Sequence, residues 1–187
     1  MSDEQSLRHL LISRSVRHGD FVLASGQRSS YYIDARPTTM SAEGQVLIGR
    51  MGLGAIRARG WNPSSVGGLT MGADPVAYAV AAASVGTPPI VDAFSVRKEP
   101  KEHGTGRQIE GNFAAGDRVV VVEDVLTSGG SALKAVEAVR AAGAVVLGVL
   151  VVVNREQGGL ERLCETGLEV VALTTTTALG LTPLSVG

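Results

Sequence analysis

Residues 118–132, RVVVVEDVLTSGGSA, decide the fold. Val119 to Val122 is an unbroken β-branched run, too short for a membrane helix and bounded by polar residues. Such a run suits a strand covered on both faces, as in a parallel sheet with helices on either side. Two carboxylates, Glu123 and Asp124, stand where this strand should leave the core, and Thr127-Ser128-Gly129-Gly130-Ser131 make a loop of small residues before an Ala-rich helix from Ala132 to Ala142. These are the parts of a phosphate cradle: glycines let main-chain amides approach the anion, hydroxyls add donors, and a helix start contributes unpaired N–H groups and the positive end of a dipole. An acidic pair beside a phosphate repels it unless sugar hydroxyls or a divalent cation lie between. The stretch therefore points to a phosphorylated sugar with a metal and not to a bare anion.

Taken alone, the stretch leaves another reading open, because strand–loop–helix units with Gly and Ser are common in α/β proteins and acidic residues also cap helices. A P-loop is excluded, since no G-x-x-x-x-G-K-[ST] occurs. A Rossmann turn is not present either: Gly104-Thr105-Gly106 lies in a charged loop and its next glycine is Gly111.

The rest of the chain alternates in the same manner. Ser2 with Gln5 offers a capping box for a helix to about His18, with Leu7, Leu10 and Leu11 on one face. Phe21 to Leu23 and Tyr31 to Asp34 read as strands around Ser25-Gly26-Gln27, a small N-terminal flap. Cross-strand packing accounts for Tyr31 and Tyr32 on pattern alone. A helix is expected from Ser41 to about Arg59, stopped by Gly60. Its Gly44, Gly49, Gly52 and Gly54 weaken it by up to about 1 kcal/mol each unless it packs closely on a neighbour, a dimer face being one such place. Ser65 to Thr70 is the first core strand, followed by the turn Met71-Gly72 and a helix from Ala73 to Val85 with Pro75 in its first turn. A strand from Ile90 to Val96 follows Pro88-Pro89, then one from Val145 to Val153, a short helix from Gly159 to Thr166 and a last strand from Glu169 to Leu173. Strands alternating with helices imply an α/β sheet of about five parallel strands flanked by helices.

Between the second and third core strands lie Arg97, Lys98, Lys101, His103 and Arg107, five cationic or titratable residues within eleven positions, broken by Pro100, Gly104 and Gly106. No apolar periodicity anchors the stretch, so it reads as an exposed loop. It is either simply solvated or a lid that carries cations to an anionic leaving group and excludes water. Arg155 sits at a strand's carboxyl end as Glu123 and Asp124 do; it suits a bidentate carboxylate contact or an ion pair with Glu156, and spacing does not choose.

EDVLTSGGS resembles the diphosphoribose-binding motif of the type I phosphoribosyltransferases. FVLASGQRSSYYID (Phe21 to Asp34), FSVRKEPKEHGTG (Phe94 to Gly106) and VVNRE (Val152 to Glu156) are similar to the orotate phosphoribosyltransferase family in particular, in matching order over nearly the whole chain. The resemblance implies one phosphoribosyltransferase domain with an N-terminal hood of about residues 1–40 and a core of about 41–187. It implies transfer of a 5-phosphoribosyl group from phosphoribosyl diphosphate to orotate, giving orotidine 5′-monophosphate and diphosphate in pyrimidine biosynthesis. The alternatives are a phosphoribosyltransferase for another base, and a non-catalytic regulator that senses the sugar diphosphate.

By the same resemblance, Arg97, Lys98, Lys101 and His103 meet the diphosphate, with Lys101, His103 and Asp124 as the catalytic set. Glu123 and Asp124 meet the ribose, Thr127, Ser128, Gly129, Gly130 and Ser131 seat the 5′-phosphate, and Val125 and Leu126 belong to the same phosphoribosyl diphosphate site. Thr127, Arg155, Tyr32 and Ile33 meet orotate. Mg²⁺ is the implied cofactor, held through substrate and waters near Glu123 and Asp124 with no direct protein ligand. A homodimer is implied, its 97–107 loop reaching the neighbouring subunit's site. Three positions depart from the family pattern: Ala24 stands where lysine is common, Met71-Gly72 where a Tyr-Lys pair is common, and Glu123 where aspartate is usual. Arg28 or Arg107 is a substitute for the missing cations, or the donor binds more weakly; the sequence leaves this open.

Composition bounds the reading. At 187 residues one domain is the default. Hydrophobic content is 44% with only 4% aromatic, so Val, Leu and Ala must build the core. The net charge of −1, from 17 basic and 18 acidic residues, gives no bulk attraction to nucleic acid or to anionic membrane. Cys164 is the lone cysteine, which excludes an internal disulfide. The charged N-terminus does not suit a signal peptide and no apolar run approaches a membrane span, so a cytoplasmic protein is expected.

Overall fold

The computed structural model describes residues 1–22, 26, 28–99 and 108–183. Helix α1 (Asp3–Ser15) begins on the capping box: the Ser2 hydroxyl accepts the Gln5 N–H at 3.2 Å and the Ser2 N–H donates to the Gln5 side-chain oxygen at 3.0 Å. It ends at Ser15 and not at His18 because strand pairing takes the chain over. Strand β1 (Val16–Val22) runs antiparallel to β2 (Arg28–Ile33), pairing Val16 with Ile33 and His18 with Tyr31. In β2 the side chains alternate: Ser29, Tyr31 and Ile33 turn inward, while Arg28, Ser30 and Tyr32 turn outward. A short helix α2 (Arg36–Thr39), with Pro37 in its first turn, joins this hood to α3 (Ala42–Ala58). The sequence reading had no counterpart for α2.

Three of the four glycines in α3 serve packing within the chain. A Cβ at Gly44 would meet the Thr38 carbonyl, one at Gly49 the Ala79 carbonyl, and one at Gly52 the Val80 side chain at 2.9 Å; only Gly54 faces open space. The close neighbours are α2 and α4 (Ala73–Val85), so no dimer face is needed to explain them.

The main sheet has β3 (Ser65–Leu69), β4 (Asp92–Val96), β5 (Ile109–Gly111), β6 (Arg118–Leu126), β7 (Val145–Asn154) and β8 (Val170–Thr175), in the order β5-β4-β3-β6-β7-β8. Its five longer strands are parallel, as expected, and β5 adds an antiparallel edge. Strand β4 starts at Asp92 and not at Ile90 because Val91 is held outside the ladder: its N–H and carbonyl both bond the Ser84 hydroxyl, at 2.9 and 3.3 Å. Helices α1, α3 and α4 cover one face with Val120 and Val122; α5 (Gly130–Ala141) and α6 (Gly159–Glu165) cover the other with Val119 and Val121. All four valines are at 0% exposure, and each contributes roughly 1.5–3 kcal/mol relative to an exposed position. Leu7, Leu10, Leu11, Tyr31 and Ile33 join the first of these clusters, so hood and sheet share apolar packing.

Candidate active site

Strand order places the site. From β3 the chain crosses through α4 to β4 on one side, whereas β6 lies on the other side of β3. The carboxyl ends of β3 and β6 therefore flank a topological switch point, the crevice where open α/β sheets hold ligands. The turn Thr70–Gly72, whose Thr70–Met71 bond is cis, leaves β3 there. It meets the other wall directly: a Cβ built at Gly72 would lie 2.5 Å from Oδ1 of Asp124.

β6 runs to Leu126, beyond the Val119–Val122 run, because β7 lies alongside and supplies partners: Glu123 is opposite Val151, Val125 opposite Val153 and Leu126 opposite Asn154. Glu123 is therefore inside the sheet and only 6% exposed, while Asp124 is half-buried. Val122 and Val125 both pack toward the α3–α4 face, although they are three residues apart, and Leu126 packs toward α5. Strict alternation thus breaks across the two acids. Burial, with the Asp124 charge second, pushes the Glu123 carboxyl up to about 8.

The loop Thr127–Gly129 has Gly129 in the left-handed region at φ 77 and leads into α5 at Gly130. Among the described residues no acceptor receives the N–H of Ser128, Gly129 or Gly130. The loop is braced from behind by α6. A Cβ at Gly159 would strike the Thr127 carbonyl and come within 3.0 Å of the Gly129 nitrogen, and the Arg162 guanidinium donates to the Ser128 carbonyl at 3.1 Å. Loop amides left open and held rigid at a helix start are what an anion requires.

Arg155 follows the tip of β7, and its N–H donates to the Leu126 carbonyl at 2.9 Å, one residue before Thr127. It is 5% exposed, and its Nε and Nη2 are buried without a hydrogen-bond partner among the described residues. The Tyr31 ring centroid lies 6.0 Å from its guanidinium carbon. Gln157 Nε2 is likewise buried and unpartnered. Buried donors left without partners beyond a strand's carboxyl end are a place for an anion, and a carboxylate matches the Nε–Nη2 edge. The ion pair with Glu156 is not formed: Glu156, at φ 55, accepts the Thr177 N–H at 2.7 Å.

The remaining expected residues divide. Tyr32 is 40% exposed and packs against Phe21 at 5.8 Å, on the outward face of the hood. Ile33 turns its side chain into the core at 4% exposure, which leaves only its main chain for any contact with a base. Arg97 lies 3.6 Å from Glu110, and its main chain pairs with Gln108 at 2.9 Å, closing the stem of the cationic loop; Lys98 is exposed. Lys101, His103 and Arg107 lie outside the described residues, as does Ala24. Arg28 begins β2 and is exposed.

Arg36 is gripped by Asp34 through two bonds of 2.8 Å. The Asp34 carboxylate, and more weakly the Asp124 carboxylate, hold its guanidinium above the ordinary range. The signal was the Asp-x-Arg spacing ahead of Pro37, which marks a helix start as readily as a site. Among the described residues no group of three His, Cys, Asp or Glu side chains is placed to hold a metal, and no helix is long and apolar enough to cross a membrane.

The open amides lie at the switch point of the sheet, and residues 46–171 match the phosphoribosyl transferase domain family. The chain belongs to that family. Within it, the chain belongs with the orotate phosphoribosyltransferases. It is 45% identical to the orotate phosphoribosyltransferase of Rhodopirellula baltica over 178 residues, 93% of this chain and 92% of that one. Among solved structures it is similar to Mycobacterium tuberculosis orotate phosphoribosyltransferase in complex with Fe(III) dicitrate, at 43% identity and TM-score 0.86, covering 96% of this chain and 100% of that one. It is also similar to the same enzyme in complex with 5-phospho-α-D-ribosyl 1-diphosphate, at 39% identity and TM-score 0.82, covering 96% and 100%.

Proposed function

We propose that the protein transfers the 5-phosphoribosyl group of phosphoribosyl diphosphate to N1 of orotate, releasing diphosphate and orotidine 5′-monophosphate. Relatives named for this reaction match at 45% identity over more than nine-tenths of the chain. The observation that carries the reading is the pairing of two anion seats on adjacent strand ends: the open amides after β6, and the unpartnered Arg155 fork after β7. The first suits the 5′-phosphate of the donor, and the second suits the carboxylate of the acceptor.

In this reading Thr127 to Ser131 seat the 5′-phosphate, and Glu123 and Asp124 bond the ribose hydroxyls. The anomeric carbon passes through an oxocarbenium-like state in which departure of the leaving group runs ahead of bond formation to nitrogen. Positioning and charge stabilisation, each of several kcal/mol, then supply most of the rate. The Asp124 carboxylate stands beside the developing positive charge. Arg97, Lys98, Lys101 and His103 receive the diphosphate, with Lys101 as proton donor, while Arg155, Thr127 and the hood at Tyr32 hold orotate.

Two adjacent carboxyls, one of them neutralised by burial, fit a cation held chiefly by substrate oxygens and water and not by a protein cage. Mg²⁺ held there supplies charge neutralisation on the diphosphate. The working unit in this reading is a homodimer in which the 97–107 loop serves the neighbouring site, and the reading takes it to act in the cytoplasm.

The test is direct. Protein mixed with phosphoribosyl diphosphate, Mg²⁺ and orotate should consume orotate absorbance and form orotidine 5′-monophosphate. Turnover with adenine, hypoxanthine or uracil but not with orotate would overturn the assignment of the acceptor.

A further inference from the structure

The chain after β8 closes over the strand tip that carries Arg155. The Thr176 N–H donates to the Asn154 carbonyl at 2.9 Å, and the Thr177 N–H donates to the Glu156 carboxylate at 2.7 Å. The residues on both sides of Arg155 are thus tied to the C-terminal segment. Glu156 keeps a left-handed backbone (φ 55) that a non-glycine residue holds only when its surroundings impose it. A third tie comes from the hood. The Tyr31 hydroxyl donates to the Thr182 carbonyl at 2.9 Å, across 151 positions of sequence. Tyr31 is 2% exposed, and its ring lies under the Arg155 guanidinium. One side chain therefore has its tip on the C-terminal segment and its face on the cation.

An acidic partner would hold Arg155 more strongly, but it would occupy the N–H groups that a carboxylate ligand needs. An aromatic face attracts a guanidinium without using those donors. We propose that Tyr31 is a positioning residue for the acceptor: anchored by Thr182, its ring holds Arg155 in the orientation that leaves Nε and Nη2 open. The C-terminal segment is then a determinant of acceptor affinity. This rests on the reading of Arg155 as the contact of the acceptor's carboxylate.

The experiment compares Tyr31→Phe, Tyr31→Leu, a chain ending at Leu181, and the truncation combined with Tyr31→Phe, by KM for orotate, KM for phosphoribosyl diphosphate, and melting. Tyr31→Phe should raise KM for orotate about fivefold, the worth of one hydrogen bond, with the donor KM within about twofold. Tyr31→Leu, which also removes the ring, should raise it about tenfold or more. The truncated chain should match Tyr31→Phe, and the combination should show no further rise, because both changes remove one bond. A purely structural role would lower the melting temperature and the active fraction while leaving the two KM values in step. Equal shifts in both KM values, or none, overturn the proposal when Arg155→Gln still raises KM for orotate. If Arg155→Gln leaves that KM unchanged, the reading of the acceptor site has failed and the proposal falls with it.

Discussion

Gly72 and Asp124 face each other so closely that a Cβ on the glycine would fall between 2.5 and 2.8 Å from three atoms of the carboxyl group. The Gly72 backbone is ordinary right-handed helix (φ −64), so the missing side chain serves space and not conformation. Asp124 takes the volume that a side chain at position 72 would need. Gly72→Ala should therefore move Asp124 and lower kcat/KM about tenfold, equivalent to about 1.4 kcal/mol of transition-state stabilisation, with little change in melting. Steady-state kinetics checks this, and an unchanged kcat/KM would show that the position of Asp124 does not matter.

Arg155 presents a buried guanidinium edge with no partner among the described residues. Charged hydrogen bonds contribute about 1.5–3 kcal/mol, so Arg155→Gln should raise KM for orotate about a hundredfold. The same change removes a buried charge that has no acidic partner among the described residues, which is itself costly. The unliganded variant should therefore melt no lower than the parent. A lower melting temperature with KM for orotate unchanged would make Arg155 a structural residue.

Glu123 carries a pH signature. Its folded-state value of about 8 lies above the ordinary 4.5, because burial and then Asp124 penalise the charged form. Between these values the folded chain holds a proton that the unfolded chain has lost, so stability falls as pH rises. The contribution is complete below pH 4.5 and is lost through about pH 8, with a slope of up to about 1.4 kcal/mol per pH unit. Melting of the unliganded protein should drop across that window, and Glu123→Gln should flatten the profile and raise the melting temperature near pH 8. Parallel profiles for the two proteins would count against a neutral Glu123.

Lys101 and His103 lie in the cationic loop whose stem is closed by the Arg97–Gln108 pair. If the loop carries charge to the departing diphosphate, Lys101→Ala and His103→Ala should each lower kcat by about 10²–10³. Melting should not change, since both are polar residues in a stretch with no apolar periodicity to anchor it. Near-normal kcat in both would remove the loop from the chemistry.

The ease of reading differs from element to element. α4 has the predicted bounds, Ala73–Val85, because its apolar content, Pro75 and the flanking Gly72 and Gly86 are local signals. β6 outruns its valine run by four residues, Glu123 to Leu126, since the extension depends on β7 as a partner. β5 has three residues and no pattern of its own; it exists only as a ladder on β4. The braces of the site are equally silent in the sequence. Arg162 reaches the Ser128 carbonyl from 34 residues away.

From the chain alone came the alternation of strands and helices, the hydroxyl-glycine cradle after two acids, and the resemblance to orotate phosphoribosyltransferases. These depend on residue type and on spacing within one loop or one strand, where local geometry rules. Tertiary structure alone decided that burial raises the Glu123 carboxyl, that Arg155 keeps an unpartnered fork over Tyr31, and that Gly72 yields its space to Asp124. Those properties arise from desolvation and close approach, which are set by how β6 lies between β3 and β7 and by what the hood and the C-terminal segment cover.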